Sequence, residues 1–280
     1  MSTLHKLIIG DSRHMPEIED ESVHLMITSP PYFNAPFDYK DLFKSYEVYL
    51  KLLEDVAKEV YRVLQKGRIA VLNIDDMLVK GEKYPIVADA IKIFQSAGFK
   101  YRDRIIWKKP DGYLRISRRS GVLLQNPYPM YFYPDNLLES ILILQKGPFD
   151  YRTVSNEIKE KSKIDIDEFN KNKWYMTLWE MTNVLPNSKL EKEIAAFPEE
   201  LPYRIIKLFS YVNETVLDPF VGSGTTMKVA RMLGRNSIGV EIKKHLIPII
   251  KEKVGFHNLL EKDNIQDDKF EVIIRREELK

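Results

Sequence analysis

The 280-residue chain contains no cysteine. That removes disulfides, thiolate zinc sites and every thiol nucleophile at once. No apolar run approaches the roughly 18–20 residues that span a bilayer, so no contact with a membrane is expected. The opening residues Met1–Lys6 lack a basic flank and a long apolar segment, so no secretory leader is expected and the location is read as cytoplasmic. Net charge is only +2, so no global field commits the molecule to a polyanion, and such a role has to come from local patches. No metal site is expected, and no internal repeat is visible. What is present is 44% hydrophobic residues, enough for one large core with a smaller appended piece.

Apolar periodicity alternates along the chain. His5–Ile9 reads as a short strand ending at Gly10-Asp11, and Val23–Thr28 as a second, buried strand. Apolar residues at Leu42, Tyr46, Tyr49, Leu53, Val56, Val60 and Val63 predict a helix over 41–65, closed by Lys66-Gly67. Strands are predicted at Ile69–Ile74, Tyr101–Trp107 and Leu138–Leu144, with a helix over 85–97. Residues 147–194 are polar, with charges of both signs; they hold a candidate surface helix pair and read as an insertion. Alternation resumes with a helix from Pro198, a strand at Thr215–Leu217, a helix to about Leu233, a strand at Ser237–Val240 and a helix from Lys243. Residues 261–280 form a charged tail with an edge-strand candidate at Phe270–Ile274. The expectation is one discontinuous α/β domain, residues 1–146 and 195–260, with a mostly parallel, Rossmann-like sheet.

Two stretches carry chemistry. In Thr28-Ser29-Pro30-Pro31-Tyr32, a strand stops at a hydroxyl residue followed by two prolines. Neither proline donates a backbone hydrogen bond, and each fixes its own φ. The carbonyls of Ser29 and Pro30 are therefore free to accept from something else, just past a strand end, where open α/β sheets bind ligands. The second stretch is Asp218-Pro219-Phe220-Val221-Gly222-Ser223-Gly224-Thr225-Thr226. Its glycines permit positive φ and close approach of a ligand, and Glu241 follows Asp218 by 23 residues. Doubly wound folds place a ribose-binding acid about 20 residues on. A P-loop would need Gly-Lys-Ser/Thr, and the dinucleotide fingerprint a third glycine where Met227 stands. An acid at 218 repels phosphate and welcomes an ammonium, so the ligand carries a ribose and a positive amino group. S-adenosylmethionine fits that description. Lys100–Arg119 holds eight basic residues against two acidic ones, beside Trp107, Tyr113 and the aromatic-rich Tyr128–Tyr133. A charge run is usually a solvated face, but the interleaved aromatics favour a surface that faces nucleic acid.

In both motifs and in their order, the chain resembles the amino-group DNA methyltransferases of the permuted class, whose catalytic motif precedes the cofactor motif. Ser29-Pro30-Pro31-Tyr32 looks like the form typical of N4-cytosine methylation; an acidic first residue is typical of N6-adenine methylation. The resemblance implies catalysis by Ser29, Pro30 and Tyr32, with Tyr32 stacked on the base, and Asp75 as an additional catalytic candidate near Asn73. It implies cofactor contacts by Asp11, Thr28, Phe197, Asp218, Phe220, Gly222, Ser223, Gly224, Thr225 and Glu241. Trp107, Lys108, Lys109, Arg115, Arg118 and Arg119 are the DNA-binding candidates, and 147–194 the target-recognition segment. The family often has a histidine a few residues before Phe197-Pro198, where this chain has Glu193-Ile194-Ala195-Ala196. Expected partners are double-stranded DNA and a cognate restriction endonuclease, with a monomer or homodimer as the assembly. C5-cytosine methylation needs a cysteine nucleophile and is excluded. N6-adenine methylation is the alternative, and a catalytically silent nucleic-acid-binding module a more remote one.

Overall fold

The computed structural model describes residues 2–35, 41–110, 120–182, 197–256 and 268–275. Leu4–Ile9 forms β1 and Val23–Thr28 forms β2. Helix α1 (Tyr46–Val63) begins where the Ser45 side chain accepts from the Val48 N–H, and it buries the stripe Tyr49, Leu53, Val56, Ala57, Val60 and Val63. Strand β3 (Leu64–Ile74) starts at the next residue, so Lys66-Gly67 is not the helix stop expected from the sequence. Gly67 instead lies inside β3 at φ +85°, where a Cβ would sit 2.7 Å from the Phe149 Cα. Close backbone approach, rather than helix termination, is what this glycine serves.

A short hairpin, β4 (Met77–Val79) and β5 (Glu82–Tyr84), leads into α2 (Ile86–Ser96) and β6 (Lys100–Lys108). After α3 (Ser120–Gln125) comes β7 (Leu138–Gln145), then the small helices α4 (Asn156–Lys161) and α5 (Ile166–Lys171), and β8 (Leu178–Glu180). The C-terminal half adds α6 (Glu200–Phe209), β9 (Thr215–Asp218), α7 (Thr225–Met232), β10 (Asn236–Glu241), α8 (Ile247–Val254) and β11 (Lys269–Ile274).

Nine of these strands form one sheet in the order β11-β1-β10-β9-β2-β3-β7-β6-β8, all parallel except β7, which is antiparallel to both neighbours. This is the mostly parallel α/β fold expected. Helices cover both faces, so successive β2 residues go to opposite layers. Val23 and Met26 pack with α1 and α2, while Leu25 and Ile27 pack with α6 and α7. A strand buried on both sides reads as a nearly continuous apolar run, which is why these strands were visible in the sequence.

Two segments outside the expected core join the sheet, one of them at the edge-strand candidate Phe270–Ile274. Residues 178–180 of the 147–194 segment join the sheet: β8 pairs with β6, Trp174 and Trp179 are buried, and the Arg204 guanidinium lies 4.9 Å from the Trp179 ring. Helix α5 is also tied to α6, because Glu168 accepts from Tyr203 and Lys207. The charged tail contributes β11, parallel to β1.

Candidate active site and cofactor loop

From β9 the chain winds through α7 to β10 on one side, and from β2 through α1 to β3 on the other, so β9 and β2 flank the switch point of the sheet. Open α/β sheets bind ligands in the crevice at the strand carboxyl ends there. Leu25 and Met26 lie opposite Val216 and Leu217, which carries both motifs to that edge together. The Thr28 hydroxyl donates to the Asp218 carboxylate at 2.7 Å across 190 residues of sequence. Ser29 follows at once, half-buried.

Asp218 is buried, and it also accepts from the Thr226 hydroxyl at 2.6 Å and the Phe220 N–H at 3.1 Å. Three internal donors occupy its oxygens, so it ties the end of β2, the loop after β9 and the start of α7 to one another. Burial pushes its carboxyl up to about 6 despite those hydrogen bonds, with the nearby Glu241 charge adding to the rise. The folded chain therefore favours the protonated form. This stability is fully present below about pH 4, the unfolded value, and is lost as pH rises through about 6. The thermal midpoint of Asp218→Asn, relative to the wild type, should accordingly improve as pH rises from about 4 to about 6. A difference independent of pH would contradict a raised carboxyl.

The loop after Asp218 is fixed to its neighbours. Val221 N–H donates to the Val240 carbonyl at 3.0 Å and Gly222 N–H to the Glu241 carboxylate at 3.1 Å. Gly224 stands at φ +93°, where a Cβ would meet Ile250 Cγ2 at 3.1 Å, so the turn into α7 takes glycine. Ser223 is buried and receives the Lys253 ammonium at 2.8 Å, and the Thr225 hydroxyl lies 3.5 Å away. Glu241 also accepts from the Lys243 N–H at 2.9 Å, and burial raises its carboxyl above the usual range. A glycine turn beside the half-buried Glu241 suits a ribose and disfavours phosphate, so the residues present fit S-adenosylmethionine.

Asp11 lies beside the same edge, since Gly10 N–H donates to the Glu241 carbonyl at 2.9 Å. Its carboxylate accepts from Arg13 Nε at 2.8 Å; that bond holds its pKa below the usual range against the opposing effect of partial burial. Phe220 is half-buried. Phe197 is buried in the core beside α6, and Glu199 in the next turn pairs with Lys228 of α7 at 2.6 Å.

On the other side of Ser29, Pro30 and Tyr32 are buried. Tyr32 is only 8% exposed, and its hydroxyl donates to Glu139 at 3.0 Å. The ring is buried rather than displayed to solvent. Asp75, just past β3, accepts from Asn136, and burial, with Glu139 and Asp76 nearby, pushes its carboxyl up to about 6. Glu139 was not anticipated, although a single acid at the head of an apolar run (Leu138-Glu139-Ser140-Ile141) is a usable signal.

The DNA-binding candidates separate. Trp107 is 1% exposed, with Nε1 donating to the Met181 carbonyl at 3.0 Å, so it belongs to the core. Its period-2 position on a sheet strand decides this, because alternate β6 side chains point inward. Lys108 approaches Glu180 at 3.5 Å, and Lys109 pairs with Glu139 and lies over the Trp107 ring. Both lysines line a cleft with Pro110, Glu180, Met181 and Thr182. Arg115, Arg118 and Arg119, and the stretch Glu193–Ala196, fall outside the described residues.

Known proteins resemble the chain in sequence and in fold. The chain is 37% identical to the type II methyltransferase M.MjaI of Methanocaldococcus jannaschii, over 91% of this chain and 92% of that protein. It is 33% identical to the type II methyltransferase M.MthZI of Methanothermobacter thermautotrophicus, over 91% and 78%. Among solved structures, a Thermus thermophilus protein assigned as a DNA modification methylase, complexed with S-adenosyl-L-methionine, superposes with a TM-score of 0.73 at 29% identity, covering 96% of this chain and 98% of that one. The PvuII DNA methyltransferase, cytosine-N4-specific, shares the fold at a TM-score of 0.65 and 20% identity, over 95% and 89%. S-adenosylmethionine is thus the cofactor of this chain. Residues 23–252 match the DNA methylase family of N6 and N4 methyltransferases, and the chain belongs to that family.

Proposed function

We propose that this protein methylates the exocyclic N4 amino group of a cytosine flipped out of double-stranded DNA. The observation that carries this reading is the Thr28–Asp218 hydrogen bond, which fastens Ser29-Pro30-Pro31-Tyr32 against the cofactor loop. Bound there, S-adenosylmethionine supplies an electrophilic methyl group on a sulfonium. An exocyclic amino nitrogen is a poor nucleophile because its lone pair is delocalised into the ring. The Ser29 hydroxyl oxygen and the Pro30 carbonyl accept its two N–H bonds, which favours pyramidal nitrogen and frees the lone pair for in-line attack. Most of the rate gain comes from this positioning. A target inside a duplex is out of reach, so the base is extruded at a cost of a few kcal/mol.

A hydroxyl rather than an acid at position 29 supports cytosine over adenine. The cleft beside Lys108 and Lys109, the basic residues Arg115, Arg118 and Arg119, and the segment 147–194 are proposed to hold phosphates and read bases. The type II relatives make a cognate endonuclease a natural partner, and the assembly is proposed as a monomer or homodimer. The test is to incubate the protein with isotope-labelled cofactor and DNA, digest the DNA to nucleosides and identify the labelled one by mass spectrometry. Labelled N4-methylcytosine is expected. Labelled N6-methyladenine would replace the cytosine reading with the adenine one.

A further inference from the structure

We propose that the turn Tyr128–Tyr131 is a wedge that enters the DNA duplex beside the target, with Met130 filling the place of the extruded base. This inference rests on the reading above that the target base leaves the duplex. Residues 120–134 contain no Asp, Glu, Lys or Arg, in a chain that is 30% charged. The Tyr131 N–H donates to the Tyr128 carbonyl at 3.4 Å, closing a four-residue turn with Pro129 second and Met130 third. Met130 stands at φ +76°. Proline second and positive φ third is the type II pattern, whose third position is ordinarily glycine or asparagine. A methionine there is strained, and it is 90% exposed, so no packing within the chain offsets the strain. Leu124, Tyr128, Tyr131 and Phe132 in the same stretch are also exposed. Strain kept at an apolar tip that the fold does not bury is the kind that persists for function.

The segment is rooted at the catalytic edge. Because β7 runs antiparallel, its first residues, not its last, reach that edge, where Ser140 lies opposite Ile74 at the end of β3. Asn136 donates to Asp75 just past β3, and the Lys109 N–H donates to the Leu137 carbonyl at 2.9 Å. Met130 stands six residues before Asn136, so chain length alone keeps it within about 22 Å of that contact. Exposed apolar patches mark contact sites, and two features select DNA as the occupant. Residues 108–119, immediately before the uncharged stretch, hold five basic residues to one acidic, which suits phosphates on either side of an apolar tip. A second protein chain seated on this segment would stand at the edge where the target base must arrive. Extruding a base leaves a gap in the stack, and the base returns unless something fills that gap. Methionine is among the side chains that wedge between base steps, and its unbranched, polarizable chain suits a thin apolar slot.

The test uses the full chain, saturating cofactor and an oligonucleotide duplex bearing a site that accepts the labelled methyl group. Glycine takes positive φ without strain, so Met130→Gly removes the side chain while keeping the turn, and its thermal midpoint should not fall. On the paired duplex its single-turnover rate should drop at least about tenfold. On a duplex in which the target base is mispaired, extrusion is cheap, and the rate should return to within about threefold of the wild type. A wild-type rate on paired DNA would overturn the proposal. So would a defect of equal size on both duplexes, which would assign Met130 to holding DNA or shaping the site rather than to opening the stack. Sedimentation that finds a dimeric wild type and a monomeric Met130→Gly would overturn it too, giving the patch to a second copy of the chain. The two levels separate cleanly. Absence of any labelled nucleoside from duplex DNA removes the underlying reading, whereas a labelled duplex beside an unimpaired Met130→Gly removes Met130 alone.

Discussion

Ser29→Ala is expected to cut the single-turnover rate of methyl transfer on the order of 100-fold, about 2.7 kcal/mol of transition-state stabilisation, with cofactor affinity essentially unchanged. The separation follows from the geometry. Ser29 is just beyond the buried Thr28 that ends β2, whereas the cofactor loop is built from β9, α7 and β10. Removing one hydroxyl leaves the Thr28–Asp218 bond, the glycine turn and Glu241 in place. What is lost is one acceptor for the amino group, and hydrogen bonds aimed at a reacting centre in a water-poor site are worth far more than exposed ones. Quench-flow measurement of the first turnover, paired with calorimetric titration of S-adenosylmethionine, tests both halves. A wild-type rate would remove Ser29 from the mechanism. A rate defect matched by an equal fall in cofactor affinity would place Ser29 in the cofactor site instead.

Asp218→Ala is expected to act the other way, weakening cofactor binding at least about tenfold and lowering stability as well. The substitution strands three donors, the Thr28 and Thr226 hydroxyls and the Phe220 N–H. At about 1–3 kcal/mol for each buried donor left unpaired, a total near 3 kcal/mol is a conservative sum. In a chain of this size that corresponds to a thermal midpoint lower by roughly 6–12 °C. The variant also frees β2 from β9 at the switch point, so turnover should fall beyond what saturating cofactor can restore. Calorimetry and thermal melting on the same preparation decide the matter. Wild-type affinity would overturn the assignment of this loop to the cofactor, whatever the melting temperature.

The two carboxylates illustrate what could and could not be read in advance. Asp218 was visible as an acid between a strand and a glycine turn, and its distance to Glu241 pointed to a ribose-binding ligand. Its contacts were not visible. The sequence suggested an acid facing a ligand's ammonium, whereas the folded chain has its oxygens occupied by Thr28, Thr226 and Phe220. Glu139 lies on a strand whose direction opposes its neighbours, and no local pattern reveals that a strand is reversed. Tyr32 and Trp107 were both read as displayed aromatics, and both are buried. An aromatic beside a polar motif has the same local signature whether it faces solvent or core, and only the layer of helices behind the sheet distinguishes the two.

The elements, the α/β class and the two motifs were legible along the chain because they depend on local chemistry: apolar runs that must be buried, prolines that free carbonyls, and glycines that permit positive φ. Packing in three dimensions settled the rest. It laid β9 against β2, made β8 within the 147–194 segment a strand of the same sheet, and brought Glu139 beside Tyr32. Strand order and strand direction are set by how whole faces pack across more than a hundred residues. That free energy is spread over the core, and no single stretch of the chain carries its record.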